Sequence, residues 1–574
     1  MLKDDVANAL EEIADLLEID EVPFKPRAYR RAAREVRGLT EDLAEVHKQG
    51  KLEEIPAVGE NIAEKMAEII ERGKLEYLEQ LREQVPVDTE LMEIQGIGPK
   101  TVKKFYQKLD VKNLPDLEKR LQQGRVRDLS GFGPKREQNI KKGLELYKES
   151  KARTPLKEAL PLAGEIEKYL EESGLFNRLL PAGSLRRRKA TVGDIDILGL
   201  TDEPKRATDH FLNLPAESGG PITEIISRGE KRSSVRIERG LQVDLRLVAE
   251  ESFGSAAQYF TGSQAHNVRL RELALSQGYS LNEYGLFEKK EDEIGERVTG
   301  EREEEIYEKL GLDFIPPELR EDRGEIGAAE EGKLPRLIDQ GDLRGDLHCH
   351  STQSSDGTSS LSELARKAIE LEYDYLAITD HSTESGIIEG IDEDNFQGYS
   401  TRIKEANEKY DSLRLLAGVE ANIKRDGEVD LPPWILEELD FVIASIHSNF
   451  GLPAEEMTAR TVKAMENPYV DLIGHPTGKK RGQRPPFELE WERIFERARE
   501  TETALEINAS PTRMDLNDSI IKSAVEAGVR LAIGTDSHRV ESLEDVEMGV
   551  YLARRGWCEK EDLLNAAPPG DWLR

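Results

Sequence analysis

The feature that most constrains this chain lies after residue 340. Seven short apolar runs there alternate with helix-like segments, and six of them stop at, or close to, a histidine or a carboxylate. Leu343–Leu347 leads into His348 and His350, with Asp356 just beyond, and Tyr373–Thr379 leads into Asp380 and His381. Leu413–Val419 leads into Glu420, Phe441–Ile446 into His447, Val470–Gly474 into His475, and Leu531–Thr535 into Asp536 and His538. Ala504–Asn508 is a seventh run with no evident ligand. Continuous apolar runs of this length between helices are strands buried on both faces of a parallel sheet. Seven βα units with polar residues at the strand exits predict a barrel whose site opens on that face. Six of the chain's nine histidines fall in this one context, a clustering that isolated core histidines would not produce. Mixed imidazole and carboxylate donors suit zinc, manganese or iron better than magnesium or calcium. Cys349, between two candidate ligands on a strand, is expected to face away from them into the core.

A second constraint is the segment from Gly183 to Gly199, GSLRRRKATVGDIDILG. Ile195, Ile197 and Leu198 mark its end as a strand, so Asp194 and Asp196 point to one face. Two carboxylates held side by side repel each other unless a cation lies between them, the layout for divalent metal and a polyphosphate. The Gly183-Ser184 turn offers N–H groups and a hydroxyl to phosphate oxygens, with Arg186 and Arg187 as charged donors. A third carboxylate, Asp244, comes from the alternating run Leu241–Val248.

The net charge of −33 speaks against nucleic acid only until its distribution is considered. Between Leu91 and Arg153, sixteen Lys/Arg stand against eight Asp/Glu, a local +8, whereas Glu288 to Gln340 has nine against eighteen, a local −9. Screening limits exposed charges to a reach of about 8 Å, so the basic island acts locally. It also carries a repeat. Ile94–Lys100 contains Gly96 and Gly98, Leu129–Lys135 contains Gly131 and Gly133, and Ile55–Lys65 contains Gly59 with Ala57 in place of the first glycine. A glycine turn ahead of a helix lets the backbone approach a phosphate, where the free N–H groups meet it without reading bases. Only two cysteines occur, so a reducing cytoplasm is expected and no disulfide framework. No apolar run approaches the length of a membrane span, and the acidic amphipathic start, MLKDDVANALEEIADLLEID, does not read as a signal peptide.

With these residues in view, the first 320 or so resemble the nucleotidyltransferases and, more closely, the family X DNA polymerases, of which DNA polymerase beta is the familiar member. The match continues through Tyr259-Phe260-Thr261-Gly262-Ser263, Asn267, Arg271 and Asn282-Glu283-Tyr284. The resemblance implies that Asp194, Asp196 and Asp244 hold two magnesium ions, with Asp244 a candidate proton acceptor. It implies that Gly183, Ser184, Arg187, Gly193 and Gly262 surround the triphosphate. The Tyr259-Phe260 turn would lie on the sugar, Asn267 on the base and Arg271 on the template strand. Gln242 departs from the family, which often has a cation there to orient the third carboxylate. Gly59, Gly96, Gly98, Gly131 and Gly133 look like helix-hairpin-helix contacts to DNA. Lys65 matches the family's Schiff-base lysine for 5′-deoxyribose-phosphate removal, with Lys25 and Tyr29 nearby, but a further lysine of that pocket is Asn61 here.

The C-terminal pattern resembles the polymerase-and-histidinol-phosphatase (PHP) domain. All nine ligand positions of that family are filled, by His348, His350, Asp356, His381, Glu420, His447, His475, Asp536 and His538. A full set implies an active phosphoesterase holding up to three zinc, manganese or iron ions, which would activate water and offset phosphoryl charge. The expected architecture is multidomain, α+β and α/β. Residues 1–85 and 86–153 are expected to be helical DNA-binding domains, 154–258 a nucleotidyltransferase palm and 259–325 a subdomain for the nascent base pair. Residues 326–340 read as a linker and 341–574 as a distorted (β/α)7 barrel. The reading that follows is a monomeric gap-filling repair polymerase using dNTPs on gapped or primer-template DNA. Its barrel would supply 3′–5′ exonuclease, with abasic-site endonuclease or 3′-phosphatase as further activities. The rival is a phosphoesterase fused to a non-templated nucleotidyltransferase; a third reading is a DNA-gap scaffold with both sites decayed. The repeated glycine turns, Asn267 and Arg271 favour templated synthesis.

Overall fold

A computed structural model describes residues 2–38, 43–94, 96–217, 219–238, 240–290, 293–382 and 390–572. The chain divides into two compact units, Met1–Lys151 with Lys480–Pro485, and Ala152–Lys479 with Pro486–Arg574. The first is helical. Leu10, Ile13, Leu16 and Leu17 keep helical spacing within Leu2–Ile19 and are buried with Met66, Val102, Phe105 and Ile140 in one cluster that runs from Val6 to Tyr147. The stretches expected as two helical domains therefore share an apolar core.

Each glycine turn in this unit ends where a helix begins. Gly59 caps Glu60–Arg72 and Gly98 caps Pro99–Leu109, while Gly133 precedes Pro134–Ala152. Gly96 and Gly131 have φ of 84° and 82°, a region glycine enters without steric cost. Ala57, the odd member of the repeat, adopts the same left-handed conformation with φ 61°. The local geometry is thus repeated even where the residue is not.

The second unit opens with a five-stranded sheet ordered Arg178–Pro181, Asp194–Leu200, Gln242–Leu247, Arg232–Ile237 and Ile222–Ser227. Only Asp194–Leu200 and Gln242–Leu247 run parallel, in a register that sets Asp196 opposite Asp244. Helix Leu156–Glu172 packs on this sheet through Ala159, Ala163, Ile166 and Leu170. Tyr259 and Phe260 lie not in a turn, as their place in the motif suggests, but in the last turn of helix Phe253–Thr261. The helix stops at Gly262, whose φ of 68° leaves the helical region. Gln264–Ser276, a three-stranded antiparallel sheet and Glu303–Lys309 follow, around a separate core of Leu270, Leu286, Ile306 and Tyr307. Residues 326–340 begin within a helix, Glu325–Glu330, in which Ile326 and Ala329 are buried.

The rest is a parallel barrel of seven strands in sequence order: Gly345–Cys349, Tyr375–Ile378, Arg414–Asn422, Phe441–Ser445, Leu472–Ile473, Ala504–Asn508 and Leu531–Gly534. The first and last strands meet where Asp536 N–H donates to the His348 carbonyl at 2.9 Å and His350 N–H donates to the Ser537 carbonyl at 2.7 Å. Leu347, Tyr375, Leu416, Phe441, Ile443 and Leu472 fill the interior. Cys349 is buried and free in the surrounding core, as its strand position predicts. Among the described residues no helix is long and apolar enough to cross a membrane.

Candidate active sites

In the sheet of the second unit, the strand period carries Asp194 and Asp196 to one face and the parallel register adds Asp244 beside them. Burial, with Asp194 next to it, pushes Asp196 up to about 6, and burial and Asp244 raise Asp194. These shifts measure how poorly the pair tolerates its own charge without a cation. Arg246 relieves part of it, with Nε 3.4 Å from Asp196 Oδ1 and its guanidinium 4.4 Å from the Phe260 ring centre.

Asp244 behaves differently. Burial would raise it, but bonds from Ser234, Gln242 and Arg232 more than offset this and hold it below the usual range. Gln242 Nε2 donates to Oδ1 at 2.9 Å, and Arg232 Nη2, from the adjacent strand, donates to Oδ2 at 2.8 Å. The cation missing at Gln242 is therefore present at Arg232, a residue that the sequence reading passed over. A carboxylate so held suits a ligand better than a proton acceptor.

The Gly183-Ser184 turn lies directly on the carboxylates. Gly183, with φ 63°, begins the short helix Gly183–Arg186, and a Cβ there would stand 2.8 Å from Asp196 Oδ2. A side chain there would be strained by the positive φ and would displace the Asp196 carboxylate. Ser184 occupies the same turn, and Gly193 immediately precedes Asp194, with the Arg153 guanidinium beside it. Arg186 is committed to structure, donating to Glu303 at 2.7 Å and to Thr261 Oγ1 at 2.6 Å. Arg187 Nε donates to Glu321 at 3.0 Å and its Nη1 to the Thr261 carbonyl. Asn267 is turned inward: Nδ2 donates to the Tyr259 carbonyl at 2.7 Å and Oδ1 accepts from Gln258 at 2.7 Å. Arg271 Nε donates to the Asn267 carbonyl at 3.3 Å.

At the barrel mouth the nine candidate ligands converge. Ligand atoms lie within 4.8 Å of one another in three sets: His350, Asp356, His381 and His538; His348, His350 and Asp536; and His381, Glu420 and His447. Glu420 is central. Its oxygens lie 2.9 Å from His381 Nδ1, 3.0 Å from His475 Nε2, 3.2 Å from His447 Nε2, and 3.5 and 3.6 Å from Nε2 of His348 and His350. Both Glu420 oxygens, His348 Nε2, and both ring nitrogens of His350 and His475 are buried without a hydrogen bond. Stranding so many lone pairs would cost several kcal/mol, by about 1–3 kcal/mol each, and cations filling the site would remove that cost. The donor set and its orphaned atoms thus fit divalent metal ions.

Protonation tells the same story. Burial would lower His381, yet Glu420 and Asp356 beside it carry it up to about 10. Burial, reinforced by His538 and His381, drives His350 down to about 3. Protons take the place of metal charge on some rings and are expelled from others, so metal uptake should release protons.

The outer partners were largely invisible in the sequence. Glu506 accepts from His348 Nδ1 at 2.6 Å and from the His475 main chain. Asn508 reaches Asp536 at 3.3 Å, Arg513 Nε donates to Asp536 at 2.9 Å, and Asn422 Oδ1 meets His447 Nδ1 at 2.7 Å. Glu506 and Asn508 lie on the strand for which no ligand was evident; their signal was a carboxylate and an amide at alternate positions of a short strand that is buried throughout. Asp380, buried and pushed up to about 6, is no ligand but an acceptor for Ser351 and Ser354 at 2.7 and 2.8 Å.

Lys65 is half-buried on Glu60–Arg72. Its Nζ donates to Asn61 Oδ1 at 2.6 Å and stands 4.8 Å over the Tyr77 ring. Burial, and the like charge of Lys25, lower its pKa although Glu64 and Glu68 oppose them. A lowered amine pKa is what a Schiff-base lysine needs.

Comparison with known families agrees with this layout. Residues 1–75 match a helix-hairpin-helix domain and 88–145 a SAM-like helix-hairpin-helix tandem. Residues 256–321 match the DNA polymerase beta thumb, and 346–510 match the PHP domain. The DNA polymerase/3′-5′ exonuclease PolX of Bacillus subtilis is 37% identical over 570 residues, covering 99% of this chain and 98% of that protein. A probable phosphatase of Caldanaerobacter subterraneus is 34% identical over 223 residues, 35% of this chain and 83% of its own. One of Thermoanaerobacter sp. is 32% identical over 230 residues, 38% of this chain and 89% of its own.

Proposed function

The chain belongs to the PolX family of family X DNA polymerases carrying a PHP domain, and from that premise we propose that it fills short gaps in DNA from dNTPs and trims 3′ ends in its barrel. One observation carries the reading: the phosphate turn at Gly183 lies against Asp196, so a triphosphate held there meets the carboxylates directly.

When bound, divalent ions supply Lewis-acid stabilisation of phosphoryl oxygens and activation of the attacking oxygen at both sites. Asp194, Asp196 and Asp244 are the residues that would hold magnesium in the palm, with Gln242 and Arg232 fixing the angle of Asp244. Gly183, Ser184, Arg187, Gly193 and Gly262 bind the triphosphate. Tyr259 and Phe260 set the sugar, Asn267 the base and Arg271 the template. Gly59, Gly96, Gly98, Gly131 and Gly133 present N–H groups to DNA phosphates, and Lys65 supplies the lyase amine. In the barrel, the nine ligands hold zinc, manganese or iron, while Glu506 and Asn422 fix His348 and His447. We assign residues 1–85, 86–153, 154–258, 259–325, 326–340 and 341–574 as the functional segments of a cytoplasmic monomer.

The test is primer extension and degradation on a one-nucleotide-gapped duplex, with wild type, Asp194→Ala and His348→Ala under Mg²⁺ and Mn²⁺. The first variant is expected to degrade but not extend, the second to extend but not degrade. Extension by Asp194→Ala sinks the palm assignment. For Lys65, borohydride trapping on a 5′-deoxyribose-phosphate end should disappear in Lys65→Ala; equal trapping removes this lysine from the chemistry.

A further inference from the structure

Palm and barrel share one buried cluster, which runs from Leu156 through Leu245 and on from Ile338 to Ala566. Their polar contact is concentrated at the turn that carries Arg187. Arg555, the last residue of barrel helix Val546–Arg555, is 2% exposed. Its Nη1 donates to the Arg187 main-chain carbonyl at 2.5 Å. Its Nη2 donates to Glu321 Oε1 at 3.1 Å and to the Asp518 carboxylate. The same Glu321 oxygen accepts from Arg187 Nε at 3.0 Å and lies 3.6 Å from Lys189 Nζ. One carboxylate oxygen is therefore shared between the side chain assigned to the triphosphate and an arginine of the phosphoesterase barrel. The neighbouring contacts repeat the pattern, with Arg188 4.7 Å over the Tyr551 ring of the same barrel helix and Lys157 2.7 Å from Asp545.

Arg187, Lys189, Arg555 and Arg323 face Glu321 and Asp518, four cations against two anions, a formal +2 beside the phosphate turn. Such an excess suits an incoming polyanion. For Arg187 to reach a triphosphate it must release Glu321, and a buried carboxylate left alone is costly. Arg555 and Lys189 keep it paired. Arg555 also fixes the main chain from which Arg187 projects.

We propose that Arg555 is a positioning residue for nucleotide incorporation, acting from the barrel by holding Glu321 and the Arg187 backbone while Arg187 exchanges its carboxylate for the triphosphate. This rests on the reading of Arg187 as a triphosphate ligand. The barrel is then part of the polymerase's nucleotide site as well as a second enzyme.

The test uses the full chain on a one-nucleotide-gapped duplex, measuring KM for the dNTP, kcat, single-strand 3′ degradation and thermal unfolding for Arg555→Gln, Arg555→Lys and Arg187→Ala. Arg555→Gln should raise KM on the order of tenfold, with a smaller change in kcat and degradation at the wild-type rate. Arg555→Lys should fall between, because one ammonium cannot serve a carbonyl and two carboxylates with the geometry of a guanidinium. Arg187→Ala should raise KM at least as far, and the Arg187→Ala, Arg555→Gln pair should be less than multiplicative, since both act through Glu321. Wild-type KM in the Arg555 variants, with KM raised in Arg187→Ala, overturns the inference alone. Wild-type KM in Arg187→Ala overturns the reading beneath it. If Arg555→Gln fails to fold, Arg555→Lys decides: unchanged KM, or degradation lost in parallel with incorporation, overturns the proposal.

Discussion

The palm and the barrel hold cations in opposite ways. In the palm, three carboxylates stand on two adjacent strands, and two of them, Asp196 and Asp244, are already partnered by Arg246, Arg232 and Gln242. In the barrel, nine ligands from six strands or the loops that follow them face one another, and the central Glu420 has no hydrogen bond at either oxygen. A site whose carboxylates already meet protein cations loses a metal at smaller cost, although the raised Asp194 and Asp196 show that the neutralisation is partial. A site whose central carboxylate is ringed by five imidazoles and accepts no hydrogen bond depends more heavily on bound ions. The same cofactor class would thus be held less firmly in one half than in the other.

The sharpest way to break this contrast is to exchange the two losses. Asp196→Ala should lower incorporation by about a thousandfold or more while degradation continues, and Glu420→Ala should do the reverse. A variant that loses both activities would show that the sites are not separate. Next in size is chelation. Dialysis against a strong chelator should raise hydrogen exchange at the barrel strand exits by several kcal/mol of lost protection, leaving Asp194–Leu200 and Gln242–Leu247 little changed. Equal change in both sheets would remove that contrast. Glu506→Gln, which loses the charged acceptor for His348 Nδ1, should weaken metal retention and degradation by up to about 100-fold without touching extension. The smallest effect is expected in the palm: Arg232→Gln should cost about tenfold in kcat with KM for the dNTP unchanged. A raised KM there would mean that Arg232 acts on the nucleotide and not on Asp244.

What could be read from the sequence divides along the range of the interactions. Short apolar strands with polar exits predict the barrel and its ligands, because strand geometry is local. The D-x-D face and the glycine turns are local as well, and even Ala57 follows the repeat in its backbone. Glu506 was missed because an acidic residue inside an apolar strand gains meaning only when His348 is brought to it from 158 residues away. Arg232 was missed because it reaches Asp244 diagonally across an antiparallel pair in which Ser234 is the residue opposite Asp244. Arg555 lies 368 residues from the carbonyl that it holds, and nothing in either segment announces the other. The end of Phe253–Thr261 was read as a turn because a motif does not reveal the helix leading into it.

One carboxylate has a thermodynamic consequence of its own. Glu420 lies within 3.6 Å of five imidazoles, so ions on either side of it would share its two oxygens. Occupancy at one position would then alter affinity at the next, by the same factor in either direction.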